Sequence, residues 1–116
     1  MREEFDQARF LTCIAEPTRI QILLLLNKDQ KKCVGEIADI LGKEQSLISH
    51  HLARLKKCNI VSATQAAQKV YYAITDSRIS ELVLIVQSLV KDMPLCKAEV
   101  RKIGDEIKDR VGQITE

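Results

Sequence analysis

Gly42 is the residue that most constrains how this 116-residue chain can fold. It follows a short stretch, Val34 to Leu41, in which Val34, Ile37, Ala38 and Leu41 share one side of a helix, and glycine there suits a left-handed C-terminal cap. After a brief turn the helical period resumes from about Gln45 to Lys57. Leu47, Ile48, His51, Leu52 and Leu55 are expected to face inward, and Ser46, Ser49, His50, Ala53 and Lys57 outward. Two short amphipathic helices on either side of a glycine turn cannot continue as one rod. They must bend at the glycine and bury their apolar sides against shared neighbours.

Those neighbours can be read on both sides. Glu3 to Ala15 carries Phe5, Ala8, Leu11 and Ile14 near one face, Glu16-Pro17-Thr18 marks a break with Pro17 at a helix start, and Ile20 to Leu26 is a strongly apolar second helix. Asn27 to Lys32 is polar and reads as a loop. Ile60 to Ala66 and Lys69 to Ile74 are rich in β-branched and aromatic residues and short enough for the strands of a hairpin. Asp76 or Ser77 can cap a helix running to about Asp92, with Ile79, Leu82, Val83, Leu84, Ile85, Val86, Leu89 and Val90 along it. So many apolar positions call for burial on two faces. After Pro94 a last helix is expected from Lys97 to about Thr115. The fold class that follows is mainly α with a small β-hairpin wing, a winged helix-turn-helix. Residues 1–116 form a single domain in this reading, with a DNA-binding core over 8–75 and a dimerisation helix and C-terminal helix over 76–116.

Charge is unevenly spread. The whole chain carries a formal +2, yet from Lys43 to Tyr72 the cations Lys43, Arg54, Lys56, Lys57 and Lys69 face Glu44 alone, a local excess of four, so the remainder is net acidic. A basic excess confined to one stretch of a small domain points to nucleic acid. With 46% apolar and 29% charged residues, four Gly and two Pro, disorder and a fibrous fold are excluded. Apolar runs such as Ile22 to Leu26 are far too short for a bilayer, and no signal-peptide pattern follows Met1, so a cytoplasmic protein without membrane contact is expected. Catalysis is not indicated: Cys58 lies about 10 Å along the helix axis from His51, beyond direct proton transfer, and no phosphate-cradling glycine loop is present.

Four segments in order, Glu16-Pro17-Thr18-Arg19-Ile20-Gln21-Ile22-Leu23, Ile37-Ala38-Asp39-Ile40-Leu41-Gly42, Gln45-Ser46-Leu47-Ile48-Ser49-His50-His51-Leu52 and Leu55 through Val61, with Val70-Tyr71-Tyr72 closing the hairpin, resemble the ArsR/SmtB repressors over roughly residues 8 to 90. That resemblance implies a homodimeric repressor that releases operator DNA on binding a metal ion, a metalloid or another small signal. At the wing tip this chain has Gln65-Ala66-Ala67-Gln68-Lys69, where similar members carry Gly and Arg.

A helix that reads base edges needs short polar side chains, with cations set for phosphates. Gln45, Ser46, Ser49 and His50 meet the first need, Gln45 with bidentate reach to adenine. Lys43, Arg19, Lys56, Lys57 and Lys69 are the candidate phosphate contacts on double-stranded operator DNA. His51 belongs to the apolar side. A homodimer would set two such helices about one DNA turn, roughly 34 Å, apart on a palindromic operator. The runner-up from another class is a winged-helix module that contacts protein partners in the transcription machinery without sensing a ligand.

No two of the four cysteines form a C-x-x-C pair, so any thiol site must be assembled in space. Cys13 reads as a small buried hydrophobe. Cys33-Val34-Gly35-Glu36 and Cys96-Lys97-Ala98-Glu99 resemble capping boxes with a thiol at the cap, where the helix dipole favours a thiolate. Cys58 ends the reading helix beside Lys57. By resemblance, Cys33 matches the first cysteine of the family's Cys-Val-Cys metal motif, with Gly35 at the second. Cys58 and Cys96 resemble ligands of a cadmium- and lead-sensing branch, with Arg54 where a third thiolate stands. The positions that match the family's zinc site along the dimer helix hold Asp76, Arg78, Leu89 and Asp92, too few ligands for a hard-metal site. The one cofactor these residues suggest is a soft metal or metalloid bound by thiolates. Three readings of Cys33, Cys58 and Cys96 stay open: a soft-metal or metalloid sensor, a dithiol redox sensor, and structural thiols.

Overall fold

A computed structural model describes residues 2–27 and 30–93. In chain order these form helices α1 (Arg2–Ile14) and α2 (Pro17–Leu25), strand β1 (Lys32–Cys33), helices α3 (Val34–Leu41) and α4 (Gln45–Lys57), strands β2 (Val61–Ala66) and β3 (Lys69–Ile74), and helix α5 (Ser77–Asp92). Pro94, Cys96 and the expected helix from Lys97 to Thr115 lie outside the described residues.

Local chemistry explains the boundaries. Pro17 starts α2 because its missing N–H is one the first turn leaves unpaired anyway, and the Glu16 carboxylate accepts the Arg19 N–H at 2.8 Å. Gly42 ends α3 at φ 65°, and the Lys43 N–H returns to the Ala38 carbonyl at 3.0 Å. Asp76 caps α5 by accepting the Arg78 N–H at 2.9 Å.

The strands form an antiparallel sheet in the order β1-β3-β2, with Val61 opposite Ile74 and Ala66 opposite Lys69. Strand β1 corrects the expected loop. Lys32 pairs with Tyr72 and Cys33 with Tyr71, a contact too short to leave a period in sequence. Thr75 closes the base of the wing, its hydroxyl donating to the carbonyls of Asn59 at 2.9 Å and Ile60 at 3.0 Å.

The core gathers Ile22, Leu23 and Leu26, Ile37 and Ala38 of α3, Ile48, Leu52 and Leu55 of α4, and Ile60 and Val61 at the start of β2. Each fully buried Leu or Ile contributes about 1.5–3 kcal/mol. Two inward expectations fail. Leu47 is 42% exposed because the buried stripe of α4 runs through Ile48, His51, Leu52 and Leu55, leaving Leu47 on its flank. On α1 the core is met by Phe10, Cys13 and Ile14, which turns Phe5 and Leu11 toward solvent.

Contacts group residues 1–83 as one unit and 84–116 as a second. In the first, Ile79 and Val83 of α5 join the core. In the second, the described part of α5 exposes Leu84, Ile85, Val86, Leu89 and Val90, followed by Met93.

Candidate nucleic-acid interface

Helices α3 and α4 meet at the left-handed Gly42, and α4 shows two different faces. Ile48, Leu52 and Leu55 are completely buried, whereas Gln45, Ser46, Ser49 and His50 are all exposed along the opposite side. A short polar face on a helix anchored through its other side is the geometry a groove reader needs. The Gln45 amide nitrogen lies 3.6 Å from where a Cβ on Gly35 would sit, so an alanine there would meet Gln45 in ordinary van der Waals contact.

Cations surround this face in sequence. Lys56, Lys57 and Lys69 are exposed, and Lys43 and Arg19 are half-buried. The buried Arg19 Nε has no hydrogen-bond partner among the described residues. At the wing tip Ala67 and Gln68 join Ala66 to Lys69, and Ala67 takes the glycine-like φ of 58°. Without a glycine the hairpin still closes, but with a strained residue. Lys31 sets its Nζ 5.5 Å from the centre of the Tyr71 ring, a cation–π contact at the sheet edge.

His51 is buried as expected, and it has a partner that sequence reading does not disclose. Its Nδ1 lies 3.6 Å from Glu16 Oε2, the oxygen that also caps α2. Burial holds the His51 pKa below its ordinary value, opposed by the nearby Glu16 carboxylate. Glu16 thus places a carboxylate beside the buried side of α4, without a hydrogen bond to the His51 Nδ1.

The thiols sit in different settings. Cys33 is buried on β1 at the start of α3, where its N–H donates to Glu36 at 3.1 Å, the returning arm of the expected capping box. That hydrogen bond is the main reason the Glu36 carboxyl lies below its usual range. Cys58 is half-buried at the end of α4 and Cys13 is 2% exposed on α1. The two cysteines adjoin one another around the Arg54 carbonyl, which accepts from the Cys13 thiol at 3.6 Å and from the Cys58 backbone N–H at 3.2 Å. No local spacing could have signalled that pair, since it depends on how α1 crosses α4. Cys96 lies outside the described residues. Among the described residues no group of three or more His, Cys, Asp or Glu is placed to hold a metal ion. At the zinc-site positions, Asp76 is engaged by Arg78, with Nη2 2.7 Å from Oδ2 and Nε 3.0 Å from Oδ1, and these hydrogen bonds lower its pKa to about 2.

Comparison with known proteins decides the family. A family model described as "Bacterial regulatory protein, arsR family" matches residues 16–63. The chain is 39% identical over 88 residues to an uncharacterized HTH-type transcriptional regulator of Methanocaldococcus jannaschii, covering 75% of this chain and 99% of that protein. It belongs to the ArsR family. The HTH-type transcriptional regulator CmtR of Mycobacterium tuberculosis is 36% identical over 105 residues, 87% of each chain. Among solved structures, the homodimeric winged helix-turn-helix DNA-binding domain of a possible ArsR-family regulator from Mycobacterium bovis superposes with a TM-score of 0.70 at 29% identity, covering 83% of this chain and 87% of that one. As an ArsR-family member the chain is a DNA-binding transcriptional regulator and not an enzyme, with a winged helix-turn-helix fold. No described helix is long and apolar enough to cross a membrane.

Proposed function

We propose that this ArsR-family chain works as a homodimeric repressor on a palindromic operator and is released by a thiol-directed signal, a soft metal, a metalloid or an oxidant. The observation that carries the reading is the exposed Gln45, Ser46, Ser49 and His50 face of a helix whose opposite side is fully buried. Gln45, Ser46, Ser49 and His50 contact base edges, and Lys43, Arg19, Lys56, Lys57 and Lys69 contact phosphates. Exposed apolar residues along the second half of α5 support dimerisation there, and the Mycobacterium bovis relative is itself homodimeric. Residues 1–116 act as one functional domain in the cytoplasm, where operator DNA is met, with 8–75 as the DNA-binding core and 76–116 supplying the dimer. Cys33, Cys58 and Cys96 are the candidate sensing thiols, and a soft metal would need ligands beyond the described set in one protomer.

The test is binding to fragments of the chain's own promoter region by fluorescence anisotropy. An imperfect palindrome should be preferred over its scramble, and Gln45→Ala should cost about 1–3 kcal/mol per half-site on the operator while leaving binding to the scramble unchanged. Equal affinity for both fragments, even at low salt, would overturn the reading in favour of a protein-interaction module.

A further inference from the structure

Cys13 and Cys58 are brought together by the crossing of α1 and α4. The Cys13 thiol donates to the Arg54 carbonyl at 3.6 Å, and the Cys58 backbone N–H donates to the same oxygen at 3.2 Å. Burial, with the neighbouring Cys58 thiol adding to it, pushes the Cys13 pKa up to about 11. The two sulfurs differ in access. Cys13 is sealed in the core, whereas Cys58 lines a cavity of about 440 Å³ with Asp6, Arg9, Phe10, Arg54 and Lys57. No further metal-ligating group completes a set of three among the described residues. Two cysteines that converge on one carbonyl without a third ligand suit bond formation between themselves better than chelation.

We infer that Cys13 and Cys58 are a hydroperoxide-directed thiol pair that forms a disulfide within one protomer and thereby releases DNA. The inference rests on the repressor reading and names its signal. The Cys58 sulfur attacks the outer oxygen of a hydroperoxide, the O–O bond breaks, Cys58 becomes a sulfenic acid, and the alcohol, or water from hydrogen peroxide itself, leaves with the Cys58 proton. Arg9, Arg54 and Lys57 on the cavity wall stabilise the departing oxyanion. The Cys13 sulfur then attacks Cys58 Sγ, the S–S bond forms, the S–O bond breaks, and the hydroxide leaves as water with the Cys13 proton. Two thiols are oxidised by two electrons in total and one peroxide is reduced. The new bond pulls α1 onto the last turn of α4, which carries Lys56 and Lys57, and removes the Cys13 donor from the Arg54 carbonyl.

Every cysteine falls in its own tryptic peptide, so the link can be mapped without ambiguity. Reduced full-length protein is treated with hydrogen peroxide, remaining thiols are blocked, and the digest is read by mass spectrometry beside operator binding on the same sample. The expected result is a link between the Phe10–Arg19 and Cys58–Lys69 peptides, with operator affinity lowered about tenfold or more and restored by dithiothreitol. Cys13→Ser, close in size to the native residue, should bind the operator normally, keep that affinity in peroxide and accumulate a Cys58 sulfenic acid that dimedone traps. A link through Cys33 or Cys96, a link between protomers, or oxidation with unchanged operator affinity would each overturn the inference. Reduced protein without operator preference would instead sink the repressor reading, and the peptide map would still report whether Cys13 and Cys58 join.

Discussion

Gly42 and Ala67 occupy the same left-handed backbone region with opposite residues, at φ 65° and 58°. A Cβ on Gly42 would meet nothing within 4 Å, so the cost of Gly42→Ala is that of the backbone alone, about 1–2 kcal/mol. Ala67→Gly should relieve a similar strain, offset by greater freedom of the unfolded chain, for a net gain of about 0.5–1 kcal/mol. Chemical denaturation of both variants checks the pair. His51 supplies a pH dependence with a definite sign. Because burial lowers its folded-state pKa, the unfolded chain takes up the proton first, so this group's contribution is complete above its ordinary pKa of 6.5 and is lost as pH falls below it. The urea midpoint should drop between about pH 7.5 and about pH 5.5, and His51→Gln should flatten that part of the profile. That His51 is buried could be read from the helical period; that Glu16 faces it could not.

At the scale of elements, α4 has one buried and one exposed face, so its contribution to stability separates from the recognition proposed for it. Leu52→Ala should cost about 2–5 kcal/mol in stability, measured by thermal or urea unfolding, since the side chain is completely buried. Lys56→Ala and Lys57→Ala should leave stability nearly unchanged, and each, removing one phosphate contact per protomer of the proposed dimer, should reduce the slope of log affinity against log salt by about two. The period of α4 was legible because Ile48, His51, Leu52 and Leu55 recur at helical spacing, while Leu47 shows how one apolar residue beside a stripe misleads. β1 was not legible: Lys32 and Cys33 have no pattern of their own and become a strand through Tyr72 and Tyr71 of β3.

For the whole molecule, the exposed Leu84, Ile85, Leu89 and Val90 form the apolar surface that the proposed dimer would cover. Leu89→Lys should shift sedimentation toward monomer at micromolar concentration and weaken operator binding, because each half-site must then be held alone. Both measurements belong on the same sample, since loss of operator binding in a protein that stays dimeric would place the fault in folding or recognition. The family resemblance covered the chain from about residue 8 to 90, and comparison with known proteins agrees with it.

By itself the sequence determined the helix pattern, the glycine corner, the polar outer face of α4 and the family, because each is written in residues close together along the chain. Only the tertiary structure decided which distant groups touch: Glu16 with His51, Tyr72 with Lys32, and Cys13 with Cys58. Those contacts depend on how helices cross and strands pair, and periodicity carries no record of a crossing. The four cysteines show the difference. Their spacing excluded a local metal knuckle, but only the packing of α1 on α4 turned a core thiol and a helix-end thiol into a pair.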